Sequence, residues 1–108
     1  MAFTPYHKIT GSTGVTIELI KPGSGAGSVK SIMITNTHAT ADATVTLFLQ
    51  LNPTGTAPTT FNILSTVSIP AHVSLLLDDK SLLSFNNSKY GLYITVGSSD
   101  TLDVLINN

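Results

Sequence analysis

Short segments in which apolar residues alternate with threonine or serine recur along the chain, and this period of two constrains the fold more than any other feature. In the segment Ala43–Gln50, Val45 and Leu47 alternate with Thr44 and Thr46. Successive side chains of a strand point to opposite faces, so such a segment predicts a strand with one face in a core. No segment has a helical period longer than one or two turns. The pattern therefore predicts an all-β protein.

About eight strands follow from these segments, separated by turns rich in Gly, Pro, Asn, Asp and Ser. Near the end of the chain, Leu102, Val104 and Ile106 alternate with Asp103 and Asn107, as expected of a strand that packs against a second sheet about 10 Å away. We therefore predict an antiparallel, jelly-roll-like β-sandwich of about eight strands. The predicted strands are 3–9, 15–20, 28–36, 43–51, 61–69, 73–77, 90–96 and 102–106, with a short apolar piece at 82–85.

Turn composition between neighbouring segments also predicts local pairing. Glycine and hydroxyl residues in a short connection favour a hairpin, and a parallel crossover would need a dozen or more residues. Proline and glycines in 21–28 interrupt the strands, which predicts a flexible loop there. The predicted pairs are 3–9 with 15–20, 28–36 with 43–51, and 90–96 with 102–106.

Composition limits the class of protein. The 108 residues fit a single domain, 1–108. Only 10% of residues are charged, the formal net charge is −1, and cysteine is absent, so we expect no disulfide and no nucleic-acid partner. No apolar run approaches the ~20 residues that cross a bilayer, and we see no secretory signal, so we expect no membrane partner and synthesis in a cytoplasm. So few charges are typical of a subunit surface, although serine and threonine hydroxyls could supply the hydration instead.

The residues that could carry chemistry are scattered. The glycines of 23–27 are followed by a strand and lack the P-loop lysine, so they do not predict phosphate binding. His7, His38 and His72 lack metal-ligand spacing, and the adjacent acids Asp78 and Asp79 occur outside any calcium-loop motif. No Gly-x-Ser-x-Gly elbow is present. We therefore predict no catalytic residues, no cofactor and no metal site.

Five other residues suggest contacts with a partner. Leu76 and Leu105 put apolar side chains on strand faces that should be polar; each is either an ordinary exposed leucine or a contact with another subunit. Tyr6, Tyr90 and Tyr93 could form a sugar-stacking surface, but tyrosines at strand edges are more often packing residues. These residues leave open a subunit contact and a carbohydrate-binding module.

Three segments, taken in order, carry a family resemblance. The segments Lys30–Thr37, Ala43–Leu47 and Leu64–Ala71 resemble the small virion proteins of marine tailed bacteriophages. In that family a strand ending in Asn leads through a short Ser/Thr/Ala loop to a Val/Thr strand, and then to a Pro-Ala turn and a Leu-rich strand. Val73–Leu77 matches the last strand, and the resemblance covers about residues 28–108.

The resemblance implies a virion location and no catalytic residues. It implies a head decoration or cement protein that bridges capsid subunits, with the major capsid protein or other virion proteins as partners and a homo-oligomer, for which we predict a trimer. A neck, tail or baseplate component is the alternative, and a receptor- or carbohydrate-binding module is another. Residues 1–8 and 21–28 would be a flexible arm and loop that order on docking. The predicted subunit-contact residues are Phe3, Tyr6, Leu76 and Leu105.

Overall fold

A computed structural model describes residues 6–12, 14–23, 29–51, 59–79, 83 and 89–107. Strands account for 67% of the described residues. All the pairs between them are antiparallel. The strands are β1 (Tyr6–Thr10), β2 (Thr16–Ile20), β3 (Ser31–Asn36), β4 (Ala43–Leu51), β5 (Thr59–Ile69), β6 (Ser74–Leu77), β7 (Tyr90–Val96) and β8 (Thr101–Asn107).

The eight strands form two four-stranded sheets. The first sheet has the order β1-β8-β3-β6, and the second has the order β2-β7-β4-β5. The chain changes sheet at each connection between consecutive strands except the one from β4 to β5. This alternation is the strand order of a jelly roll, in which two Greek keys make a double-sheet sandwich. The predicted all-β, jelly-roll-like fold is confirmed.

Side chains from the inner faces of both sheets form one apolar core. Ile32 and Ile34 of β3 are fully buried, as are Leu47 of β4 and Val104 of β8. Each such side chain contributes about 1.5–3 kcal/mol when it is removed from water. The outward neighbours on these strands are partly or fully exposed, so the predicted alternation of Leu102, Val104 and Ile106 with Asp103 and Asn107 is confirmed.

The predicted local pairs are wrong. The strands β1 and β2 lie in different sheets, as do β3 and β4, and as do β7 and β8. The physical reason is that a tight turn can either reverse a strand within its sheet or carry the chain across to the other sheet. Turn residues satisfy the backbone in both cases. Among the described strands, consecutive pairing is found only between β4 and β5.

Hydrogen bonds to Asp100 stabilise the corner where the chain crosses from the second sheet to the first. The carboxylate Oδ2 of Asp100 accepts hydrogen bonds from the N–H groups of Gly97 at 2.8 Å and Thr44 at 3.1 Å. The backbone N–H of Gly11 donates to the carbonyl oxygen of Asp100 at 2.9 Å. These bonds join the β7–β8 corner to the start of β4 and to the end of β1.

The predicted turn at Pro70 and Ala71 is present. The N–H of Val73 donates to the carbonyl of Pro70 at 3.1 Å, and His72 has a φ of 62°. A positive φ at the third residue is the geometry of a type II turn, where glycine is the usual residue. His72 therefore occupies a backbone conformation that L-residues adopt only at a cost.

Strand β5 forms one edge of the second sheet and contains two irregularities. Val45 pairs with Val67 and Leu47 pairs with Leu64, so two residues of β5 lie opposite one residue of β4. Thr66, inside this bulge, has a φ of 53°, and its N–H donates to Thr46 Oγ1 at 3.0 Å. Bulges twist an edge strand and hinder its pairing with another chain.

The predicted arm and loop lie partly inside the described residues. Of the arm 1–8, residues 6–8 belong to β1 and pair with β8, whereas 1–5 lie outside the described residues. Of the loop 21–28, the described residues end at Gly23, whose φ is 77°. The rest of each segment stays a prediction.

Candidate functional site

Four apolar residues lie side by side across the outer face of the first sheet, one on each strand. Tyr6 of β1 pairs with Leu105 of β8, Leu105 pairs with Met33 of β3, and Met33 pairs with Leu76 of β6. Tyr6 is 69% exposed, Leu76 55% and Leu105 38%, and Met33 is half-buried. We call these four residues the apolar row.

Alternation along the strands explains why the row faces outward. On each strand the next residue toward the core is fully or partly buried, as Ile32 and Val104 illustrate. Because the side-chain period of a strand is two, the core residues fix the opposite direction for Met33 and Leu105. A shallow groove of about 300 Å³ runs along the row. The sheet therefore presents a continuous apolar strip.

Polar residues border the apolar row. On one side, Lys8 pairs with Asp103, and Thr35 lies between Asp103 and Ser74 in the register. Lys8 Nζ lies 3.1 Å from Asp103 Oδ1, and the hydroxyls of Thr35 and Ser74 share a hydrogen bond of 2.7 Å. We call these four residues the polar rim. An apolar centre with a polar border is the usual anatomy of a protein–protein contact.

The opposite side of the row is also polar. Ser31 of β3 pairs there with Asn107 of β8. The exposed ion pair between Lys8 and Asp103 contributes little to stability, about 0–1 kcal/mol, because water screens it. Its charges therefore matter more for what can approach this face than for holding the fold.

Three of the four predicted contact residues are brought together by the fold. Tyr6, Leu76 and Leu105 all belong to the apolar row, although Tyr6 and Leu105 are far apart in the sequence. Phe3 lies outside the described residues. Met33, the fourth member of the row, was not predicted as a contact. Its place on the outward side of β3 between Ser31 and Thr35 was the signal that could have identified it.

The outer face of the second sheet is different. Its cross-strand contacts include the threonine hydroxyls of Thr16 and Thr95, 3.2 Å apart, and the ring of Tyr93 stacked on Phe48 with centroids 5.6 Å apart. The Tyr93 hydroxyl donates to Glu18 Oε2 at 2.9 Å. Burial raises the pKa of Tyr93 to about 12, and the hydrogen bond to Glu18 and its negative charge act in the same direction.

The three tyrosines of the sugar-stacking alternative do not share a surface. Tyr6 lies on the outer face of the first sheet, and Tyr93 is nearly buried on the outer face of the second. Tyr90 contacts Phe61 instead, with centroids 6.0 Å apart. One aromatic platform made of these tyrosines is therefore not formed.

The histidines and acidic residues of the described ranges do not converge. His38 Nδ1 accepts the N–H groups of Thr40 and Ala41, and His72 lies in the turn before β6. Within the described residues, no three histidine or acidic side chains are grouped so that they could hold a metal ion. The described part of the chain contains no helix of sufficient length and hydrophobicity to span a membrane.

Comparisons with known proteins find no relative of this chain. No family model, no curated protein and no solved structure matches the chain.

Proposed function

We propose that this protein is a structural subunit of a virus particle, located on the head of a tailed bacteriophage as a decoration or cement protein. The observation that carries the proposal is the apolar row with its polar rim. A subunit of an assembly needs such a surface, whereas a free monomer gains nothing from an apolar strip across a whole sheet.

Two further features support a structural role. Jelly rolls serve as capsid domains of viruses, although lectins and cupins share the fold, so the fold alone does not select a function. Charged residues make up 10% of the chain, which leaves a surface with little charge repulsion between neighbouring copies. Both features agree with the family resemblance of residues 28–108. Partners would be the major capsid protein or other virion proteins, met after synthesis in the host cytoplasm.

Contacts of this kind are stabilised by the burial of apolar surface and by repetition over many copies. Each Å² of apolar surface removed from water contributes about 25 cal/mol, so a small contact is weak by itself. A symmetric shell repeats the contact many times, and linked contacts gain avidity over a single one. A head protein present in many copies gains more avidity from this repetition than a neck, tail or baseplate component does.

Quantitative mass spectrometry of purified particles tests the proposal. The copy number of this protein is measured against the major capsid protein in particles of the virus that encodes it. Hundreds of copies per particle are expected for a decoration protein. A few to a few dozen copies would overturn the head location in favour of the neck, tail or baseplate, and absence from particles would overturn the virion role.

A further inference from the structure

We propose that the apolar row packs against the apolar row of a second copy of this chain, so that two first sheets meet face to face around a two-fold axis. The inference rests on the proposed function, because it names the neighbour that covers the surface on which that function depends. It keeps the predicted homo-oligomer but replaces the predicted trimer with a two-fold pair, and it assigns the contact.

The sizes of the side chains in the row suit a two-fold contact. An axis lying between the sheets and parallel to the strands places β1 of one copy opposite β6 of the other, and β8 opposite β3. Tyr6 then faces Leu76 of the second copy, and Leu105 faces Met33. The largest and most exposed side chain at one edge meets a smaller one from the other edge, and the two central residues meet each other.

Symmetry favours a dimer over a closed trimer. A two-fold contact uses the same patch on both subunits, whereas a ring of three needs two different patches on each subunit. In the described part of the chain, the first sheet carries the apolar row, while the outer face of the second sheet carries threonine hydroxyls and the nearly buried Tyr93. One self-complementary patch therefore gives a pair.

The charges of the polar rim agree with the same axis. Lys8 of β1 comes to lie opposite Ser74 of β6 in the second copy, and Asp103 of β8 comes to lie opposite Thr35 of β3. Hydroxyl groups can accept from the ammonium group and donate to the carboxylate. No like charges of the rim face each other, and the ion pair of each copy remains intact at the edge of the contact.

The size of the face sets the expected strength. Four strands about 4.8 Å apart, with four to seven residues at about 3.3 Å each, give a face of roughly 15 by 20 Å. The area of this face, about 300 Å², is smaller than the ~800 Å² that each partner buries in standard stable interfaces. The dimer is therefore weak and depends on concentration. A dimer also carries two copies of every other surface, so its attachment to a symmetric shell is bivalent.

Sedimentation of the purified full chain over a concentration series tests the contact. We expect monomers at about 1 µM and dimers at several hundred µM, the range of a small interface. Leu105→Glu and Leu76→Glu should each weaken the dimer about tenfold or more, because each places a charge in an apolar contact. Val15→Glu is the matched control, since Val15 is 42% exposed and lies outside the row.

Either of two results would overturn the inference. The first is a wild-type chain that stays monomeric up to several hundred µM. The second is a control variant, Val15→Glu, that weakens the dimer as much as Leu105→Glu does. Urea unfolding of each variant shows that it is folded, and the wild-type series decides the question even if a glutamate variant does not fold.

Cross-linking tests the orientation of the axis. The chain has no cysteine, so single-cysteine variants report one position each. A mixture of Lys8→Cys and Ser74→Cys should cross-link through a bismaleimide about 10 Å long, the spacing of packed sheets. Either variant alone should not, because β1 and β6 are three strand spacings apart, about 14 Å, in addition to the gap between sheets. Thr46→Cys, on the second sheet, is the control.

Cross-linking of the mixture alone supports the axis. Equal cross-linking of either single variant, or of Thr46→Cys, would overturn it. The outcome is also separable from the proposed function. A monomer in solution with hundreds of copies per particle would refute the dimer and leave the virion role. A dimer in solution that is absent from particles would support the dimer and overturn the virion role.

Discussion

Replacing Asn36 with alanine is expected to lower the free energy of unfolding by roughly 3 kcal/mol, because the side chain makes three hydrogen bonds in the interior. Asn36 ends β3 in the first sheet and is fully buried. Its amide nitrogen Nδ2 donates to the carbonyl oxygens of Ala41 and Ile69, both at 2.9 Å, and Oδ1 accepts from the N–H of His38 at 3.0 Å. The side chain therefore ties the first sheet to the end of β5 in the second.

The magnitude follows from these three bonds. A hydrogen bond between neutral groups contributes about 0.5–1.5 kcal/mol net, and a partner left unsatisfied in the interior costs about 1–3 kcal/mol. The bond to Ile69 is buried and the other two are partly buried, so water replaces them only in part. Three bonds at about 1 kcal/mol each give the expected loss.

Urea unfolding followed by circular dichroism measures the loss of free energy. Thermal unfolding of the same variant should show a fall in Tm of roughly 10–20 °C. Asn36→Leu keeps the number and branching of the side-chain heavy atoms but cannot make the hydrogen bonds, so it should be nearly as unstable as Asn36→Ala. Asn62→Ala is the control, since Asn62 is exposed on β5, and its change should be within about 0.5 kcal/mol.

A loss below about 1 kcal/mol for Asn36→Ala would refute the reasoning, because the three bonds would then contribute almost nothing. Recovery of stability in Asn36→Leu would refute it in another way, since the residue would then act through its volume alone.

Three further predictions concern the backbone and one phenol. Thr66→Gly should raise the free energy of unfolding by about 1 kcal/mol, because it relieves a positive φ, whereas Thr66→Ala should not; urea unfolding of the pair checks this. Gly11→Ala should cost about 3 kcal/mol or more, because a Cβ there would lie 2.0 Å from the carbonyl oxygen of Gly97, whereas Gly14→Ala, whose Cβ meets its nearest atom at 3.7 Å, should be nearly neutral; equal losses would contradict this. The raised pKa of Tyr93, about 12, means that the folded state holds the phenolic proton more tightly than the unfolded state does, whose pKa is about 10. That contribution to stability is complete below about pH 10 and is lost as the pH rises through about 12, and a wild-type decline in this range no steeper than that of Tyr93→Phe would contradict it.

Strands and their inward faces could be predicted from the sequence, because both follow from the local period of two. Val45, Leu47 and Val104 were placed correctly for this reason, since the side-chain direction within a strand does not depend on its partner. The two-sheet architecture followed from the number of strands and the absence of helical periods.

Strand pairing could not be predicted from the sequence. The segment 97–100 has the composition of a hairpin turn, yet it carries the chain from the second sheet to the first, held by the carboxylate of Asp100. The hydrogen bond from the N–H of Thr44 to the carboxylate of Asp100 joins residues far apart in the sequence, and no local pattern encodes it. A turn motif specifies a change of direction and leaves open which sheet receives the next strand.

The same limit explains the candidate surface. Leu76 and Leu105 were recognised individually because each breaks its own strand pattern. Their alignment with Tyr6 and Met33 depends on the order β1-β8-β3-β6, in which the first and last described strands are neighbours. Met33 was missed because a methionine between Ser31 and Thr35 looks like a single exposed residue until its neighbours on β8 and β6 are known.

Footprinting of the outer face of the first sheet tests most directly whether the apolar row is a covered protein contact. Hydroxyl-radical oxidation of Tyr6 and Met33 is compared between dilute free protein and protein in purified particles, with Phe61, half exposed and outside the row, as the internal reference. The account predicts strong protection of Tyr6 and Met33 in particles and unchanged oxidation of Phe61. Equal oxidation of Tyr6 and Met33 in the two states would contradict the account, because the row would then face solvent in the assembly.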